Sequence, residues 1–501
     1  MISARRDPNG AGGWGAGSWF SGQPAGLSTL FFAELWERFS YYGMRALLVL
    51  FMVTPAAQGG MGFDTVEAAT LYGSYTMAVY MLSIPGGYIA DRLIGARTAV
   101  LTGGSIIALG HYALAVPSRS TFYAGLILVA LGTGLFKPSI STLVGALYAK
   151  DDPRHDAGFS LFYMGINIGG FLAPFVTGFL AQGESFKAWL AASGLDPLAS
   201  WHWGFAAAGV GMTIALAIIA ARWSRLPRSE AGLERIEGSW RQALGVAGAT
   251  AVLMALALLS DVEGWQGLRW MFLALPVAAI VWFLSRESVD ERRLATIGVF
   301  FIASMLFWAV FEQAGLSIAL FADKLTRNEA LGFSFPSSWF QSLNSFFVIL
   351  LSPIFAWSWT RLGDRQPSSA LKFAIGLVFL SASFLLMVPA AQLTVEGRVS
   401  PLWLVGLFFL QTVGELFLSP VGLSAMTRLA PAGYVGLVLG IWFLSSAFGN
   451  KLAGILGSSF NAEDPAGLSA FFFQQGALVL IAAMILISLV PWMKRLMAGQ
   501  R

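Results

Sequence analysis

From Leu27 to its end the chain is a succession of apolar runs of about twenty residues or more, each long enough at 1.5 Å per residue to cross ~30 Å of hydrocarbon. Fourteen are read, at 27 to 53, 68 to 90, 98 to 116, 121 to 148, 159 to 182, 202 to 222, 242 to 260, 268 to 285, 294 to 320, 336 to 360, 369 to 391, 401 to 428, 435 to 459 and 469 to 492. Backbone in lipid must satisfy its own hydrogen bonds, so runs of this length are expected as helices and the chain as an all-α polytopic membrane protein. Composition agrees: 56% of residues are hydrophobic and 12% charged, against roughly 25% charged in a soluble domain, and mean hydropathy is +0.68. Without cysteine the chain holds neither a disulfide nor a thiolate metal site, so its stability must come from helix packing.

The first 26 residues carry Arg5 and Arg6 ahead of a Gly/Ser-rich stretch through Gly22. No short apolar segment with a cleavage site follows, so the stretch reads as a flexible cytoplasmic tail rather than an export signal. Gly10, Gly12 and Gly15 satisfy G-x-G-x-x-G, but no strand precedes them and no helix opens there, which removes the phosphate-binding reading.

Alternating the loops from a cytoplasmic amino terminus places twenty-one of the 31 Lys and Arg residues in or beside loops on one side and six on the other. The positive-inside rule then puts both termini in the cytoplasm, and the net charge of +4 is loop charge, not a footprint for nucleic acid. Spans seven and eight contain no charged residue except Arg269 and lie between two basic loops, as an inserted hairpin would. The expected organisation is a tail (1–26), a six-helix bundle (27–222), an inserted two-helix hairpin with basic linkers (223–293), a second six-helix bundle (294–492) and a cytoplasmic tail (493–501). Removing the hairpin leaves six plus six helices, the layout of transporters built from two halves around a midplane site.

Seven charges fall inside predicted spans: Glu34, Glu37, Arg38, Arg45, Lys137, Glu312 and Glu415. At ~2.5 to 3.5 kcal/mol each near a helix centre, lipid exposure would cost roughly 17 to 25 kcal/mol, so they must pair or line a wet cavity. Structural ion pairing within the bundle is the alternative to a transport role. Lys451 is a further basic residue well inside a span. At about 100° per residue, Glu34, Arg38, Tyr41 and Arg45 share one stripe of the first helix, with Glu37 about 60° to the side. Depth along the spans pairs Arg45 with Glu312 toward the outer side and Lys137 with Glu415 toward the inner side, each across the two halves.

These charges sit in recognisable motifs: ELWERFSYYGMR (Glu34 to Arg45), GGYIADRLIGAR (Gly86 to Arg97), GTGLFKPSIS around Lys137, FSLFYMGINIGGF (Phe159 to Phe171), FWAVFEQAG around Glu312, QSLNSFF around Asn344, GELFLSPVGLS around Glu415 and GIWFLSSAFGN (Gly440 to Asn450). The combination resembles the proton-coupled oligopeptide transporter family of the major facilitator superfamily, and the central hairpin resembles that of its bacterial members. The resemblance implies a symporter of the bacterial inner membrane, monomeric, that takes up di- and tripeptides by alternating access, with protons as coupling ion and no other cofactor.

Carried over residue by residue, it implies that Arg45 and Lys137, with Arg38 nearby, hold the peptide carboxylate, while Asn167, Asn344 and Glu415 receive the amine. Tyr41, Tyr42, Tyr80, Trp308 and Trp442 would line side-chain pockets, with Glu312 in the same site. Coupling would rest on Glu34, Glu37, Arg38, Lys137 and Glu312, and gating on Arg45 with Glu312, Lys137 with Glu415, and Asp91 with Arg92. Two positions depart from the family pattern: Gly73 stands where many animal members carry a functional histidine, and Ser139 where asparagine is common. A different solute on the same scaffold, such as nitrate or a drug-like anion, is the nearest rival; Glu415 and the intact E-x-x-E-R speak against an anion. An enzyme would need a nucleophile with its base or a metal site, and neither H-E-x-x-H nor G-x-S-x-G is present. A non-transporting receptor differs from a carrier only in whether substrate accumulates.

Overall fold

The computed structural model describes residues 20–149, 152–227, 240–262, 291–330, 332–429 and 435–497, with a few single positions between 264 and 278. The expected eighth span, most of the linker before the seventh, and the outermost parts of both tails lie outside the described residues.

The described residues form helices α1 (Ala25–Val53), α2 (Thr65–Met81), α3 (Ser83–Ile89), α4 (Ala96–Leu114), α5 (Arg119–Gly145), α6 (His155–Gln182), α7 (Glu184–Ala192), α8 (Ser200–Ala221), α9 (Trp240–Leu259), α10 (Glu291–Phe311), α11 (Ser317–Lys324), α12 (Ser342–Leu362), α13 (Ser369–Leu393), α14 (Leu402–Leu429), α15 (Val435–Gly457) and α16 (Pro465–Met497). Among the described residues, nine helical stretches are long and apolar enough to cross a membrane. With 29 residues α1 has the length, but it carries four charges, Glu34, Glu37, Arg38 and Arg45. Two short strands, β1 (Glu329–Ala330) and β2 (Phe333–Ser334), pair antiparallel in the loop after α11. Neither this ribbon nor α7 was expected from the apolar pattern, because neither is an apolar run.

Two expected spans are broken. The run from 68 to 90 divides at Leu82, where Pro85 lacks the N–H that would bond back to the Met81 carbonyl, and α3 runs on into a π turn at Ala90–Ile94. The run from 294 to 320 stops at Phe311, makes a 3-10 turn over Glu312–Gly315, and restarts at Ser317 through Leu316 at φ −118°, ψ −104°. Side chains hold this break open: Gln313 Nε2 donates to the Ala453 carbonyl at 2.9 Å, Ser317 Oγ to Gln313 Oε1 at 2.7 Å, and Gln341 Nε2 to the Ala314 carbonyl at 2.5 Å. Glycine is required at 315, where a Cβ would stand 2.0 Å from the Tyr72 hydroxyl.

Packing groups the helices. In the first part of the chain α4 packs on α5, and α1 on α6 and α8; in the last part α13 packs on α14 and α16, and α10 on α15. The two groups meet through α2 against α15 and α6 against α12. At the first crossing a Cβ on Gly73 would lie 2.7 Å from the Gly454 Cα, so the backbones touch directly, as small residues allow where lipid supplies no hydrophobic drive between helices. A side chain at 73, histidine included, has no room here. The second crossing carries Ser342 Oγ on the Phe171 carbonyl at 2.8 Å and Gln182 Nε2 on Ser337 Oγ at 3.0 Å. Among the described residues, the hydrogen bonds and ion pairs between the groups lie toward the end that holds α7 and the ribbon, opposite the loops richest in Lys and Arg.

Candidate functional site

The polar stripe of α1 faces inward. Arg38 Nε stands 3.0 Å from Glu34 Oε1, an i,i+4 neighbour, while Nη2 donates to Glu37 Oε1 at 2.7 Å and Nε also contacts the second Glu37 oxygen. All three side chains are at most 5% exposed, so lipid and bulk water are both excluded from the cluster. The guanidinium lies 5.4 Å from the centre of the Tyr41 ring, whose own neighbour Tyr42 packs edge-on at 5.5 Å.

Two turns further along, Arg45 pairs with Glu312 across the two helix groups, and its Nε donates to the Tyr72 hydroxyl at 2.6 Å. Glu312 is buried at the helix break, in the 3-10 turn that follows α10, where its carboxylate meets Arg45 of α1. Tyr72 went unnamed among the sequence candidates although it precedes Gly73 in LYGSY. Its signal was a stripe of hydroxyls at i, i+4 and i+8 on α2 (Tyr72, Thr76, Tyr80).

Lys137 and Glu415 are not paired. The Lys137 ammonium sits over the Tyr80 ring, 4.3 Å from its centre, and makes no hydrogen bond or ion pair among the described residues. Pro138, inside α5, frees the Gly134 carbonyl beside it, and Gly86 of α3 packs against that oxygen. Glu415 instead accepts from Asn344 Nδ2 at 2.9 Å, and the same amide reaches Thr412 Oγ1 at 3.1 Å. The reason is geometric: the groups meet at the α7 end, while Lys137 and Glu415 lie toward the other.

Between these groups lies a small cavity lined by Tyr42, Arg45, Ala46, Pro174, Phe311, Ala314, Gln341, Asn344, Ser345 and Phe408. It draws on both helix groups, with a cation on one wall and an amide backed by a carboxylate on the other. Tyr42, Arg45 and Asn344 were sequence candidates. Gln341, Phe311 and Phe408 were not, since an apolar or amide residue in a span carries no signal until the fold shows which face it occupies.

The remaining candidates are dispersed. Asn167 donates to the Tyr163 carbonyl at 3.0 Å within its own helix. Ser139 likewise donates to the Leu135 carbonyl at 2.6 Å. Trp308 packs edge-on against Phe307 and Phe311, and its indole N–H is buried without a hydrogen-bond partner among the described residues. Trp442 is buried against Gly422 and Phe373 rather than on the cavity wall. Asp91 and Arg92 are exposed in the π turn, in no ion pair among the described residues. In the neighbouring loop, hydrogen bonds from the Arg154 side chain and backbone hold the Asp152 carboxyl down to about 2.

Three comparisons fit this geometry. A family profile described as the POT family matches residues 97–469. The chain is 39% identical to the peptide transporter YePEPT of Yersinia enterocolitica, over 96% of both chains, and 37% identical to a di-/tripeptide transporter of Lactococcus lactis, over 96% of this chain and 98% of that one. A crystal structure of a variant of the peptide transporter POT in complex with alafosfalin superposes with a TM-score of 0.83 at 37% identity, covering 95% of this chain and 96% of the other.

Proposed function

Since this chain belongs to the POT family, a family of membrane transporters and not enzymes, we propose that it is a proton-coupled symporter of the bacterial inner membrane that takes up di- and tripeptides by alternating access. The observation that carries the reading is the division of charge around the cavity: Arg45 on one wall, Asn344 with Glu415 on the other. Such a division of charge matches the two ends of a zwitterion, and because every short peptide has the same two termini, one clamp serves many sequences. Tyr42, Phe311 and Phe408 tolerate varied side chains between the ends.

In this reading the chain crosses the membrane fourteen times as two six-helix bundles (27–222 and 294–492) with the hairpin between them, and the basic loops and both tails face the cytoplasm. The arrangement described is then the inward-facing one, shut at the α7 end by Arg45 with Glu312. Lys137 and Glu415 pair only when the inner side closes, together with the gate around Asp91 and Arg92. Coupling follows from chemistry common to buried pairs: protonating a carboxylate removes its ion pair, and an arginine does not give up its proton to compensate. Glu34, Glu37 and Glu312 are the carboxylates so placed, each held by an arginine.

The test is uptake into proteoliposomes under an imposed inward proton gradient, across a panel of dipeptides, tripeptides, doubly end-blocked dipeptides and nitrate. Accumulation of free peptides alone supports the reading. Equal competition by end-blocked peptides would remove the clamp, and accumulation of nitrate would replace the substrate class.

A further inference from the structure

Lys451 has no part in the scheme above. It lies on α15, 3% exposed, and its ammonium donates to Ser74 Oγ of α2 at 2.9 Å while pairing with Asp261, two residues beyond the end of α9. Ser74 Oγ in turn donates to Asp261 Oδ2 at 3.3 Å, closing a triangle. Three parts of the chain meet at one ammonium: the first helix group through α2, the second through α15, and the inserted hairpin through the loop after α9.

The placement of α9 makes this junction directional. Helix α9 packs on α2 and α3, so Asp261 belongs with the first group, whereas Lys451 belongs to the second. Ser74 adjoins Gly73, and Lys451 lies three residues before Gly454, so the triangle stands beside the closest backbone approach of the two groups. A buried ammonium needs an anion, and from α2 it meets the Ser74 hydroxyl. Among the described residues, Asp261 is a carboxylate that pairs with it. Opening the molecule at this end would separate Gly73 from Gly454 and take Lys451 away from Ser74 and Asp261.

We propose that α9 carries a latch: through Asp261 on Lys451 it holds the two helix groups together at the α2 and α15 crossing and biases the protein toward the conformation closed at that end. The proposal rests on the reading that the groups rock during transport.

Pairs of spin labels test it in the full-length chain, which has no native thiol. With Val66→Cys and Ser459→Cys labelled in liposomes, the distance distribution reports the ratio of the closed to the open arrangement at this end. The native pair should favour the short distance, and Asp261→Asn should lower the closed-to-open ratio about tenfold. Lys451→Met, which removes the charge and with it the need for a partner, should give the same shift, and exchanging the two charges (Asp261→Lys with Lys451→Asp) should recover most of the native ratio. A ratio within about twofold of native in both single variants overturns the latch. So does a shift in Asp261→Asn that Lys451→Met does not share, since that would mark disturbed packing, and so does a charge exchange that recovers nothing. Two populations that ignore Asp261 sink the latch alone. A single fixed distance, with or without dipeptide and an acidic exterior, sinks the latch and the rocking reading together.

Discussion

Arg45 and Lys137 are two cations on helices of the same group, and their surroundings differ sharply. Arg45 is held by Glu312 from the other group and by the Tyr72 hydroxyl, whereas Lys137 sits over an aromatic ring and forms no ion pair among the described residues. The residue types match the two situations. A guanidinium is a rigid fork that holds a carboxylate and a hydroxyl at once, and an ammonium on a flexible stem is free to move to whichever anion arrives. The contrast also separates the two ends of the molecule, one tied across the groups by ion pairs and hydrogen bonds and the other not, among the described residues.

The sharpest way to break this contrast is to neutralise the tie without changing its shape. Glu312→Gln, and separately Glu37→Gln, should abolish gradient-driven accumulation while peptide exchange with peptide on both sides persists, because the cavity walls at Arg45, Asn344 and Glu415 stay in place. Full accumulation by both variants would take coupling away from these carboxylates. Lys137→Ala comes next. With the ammonium gone, neither a peptide carboxylate nor Glu415 has its partner, and loss of one charged contact of this kind costs on the order of 3 kcal/mol, or about 100-fold in driven uptake. Binding measured by calorimetry should weaken as well; unchanged affinity would leave Lys137 a gating role only.

How far the site was legible in the sequence follows from the same residues. Buried charges announce themselves, because lipid makes each one costly, so the α1 stripe, Glu312, Lys137 and Glu415 stood out against an apolar background. Depth along the spans also brought Arg45 to Glu312, and the structure places them together. It gave the Lys137 and Glu415 pair equal standing, which the structure does not contain, because depth carries no information about which end of the molecule is closed. The break at Glu312 was illegible for another reason. EQAG reads as a continuation of an apolar helix, and the bonds that hold the break come from residues far away in sequence, among them the Ala453 carbonyl that accepts from Gln313. Trp442 shows the limit for aromatics, since the same residue suits a pocket wall or a packed core, and here it is packed.

Gly73 tests the closed end from the backbone side. Gly73→Ala places a Cβ 2.7 Å from the Gly454 Cα, a backbone contact that cannot move aside as a side-chain tip would. Overpacking of this kind costs roughly 1 to 3 kcal/mol, so the closed arrangement should lose on the order of tenfold in population and the detergent-solubilised protein should melt earlier. If a histidine at this position were accepted without either change, the crossing would be looser than the contact implies.

The smallest effect is expected at Tyr72, and it bears most directly on why Arg45 is held so firmly. Tyr72→Phe removes one hydroxyl and nothing else: the ring stays beside the guanidinium, 5.8 Å from its centre, and Glu312 remains paired. Arg45 Nε loses the acceptor it now has at 2.6 Å, and a hydrogen bond to a charged group contributes about 1.5 to 3 kcal/mol. Part of that returns, because Glu312 stays on the guanidinium and continues to hold it. The net effect should be about fivefold on KM for peptide, with coupling intact, since no carboxylate has changed. Two outcomes separate the roles of the residue. A raised KM with normal accumulation makes Tyr72 a positioning residue for Arg45. Lost accumulation with an unchanged KM would instead place the hydroxyl on the proton route, and the division between a fixed guanidinium and titrating carboxylates would have to be redrawn.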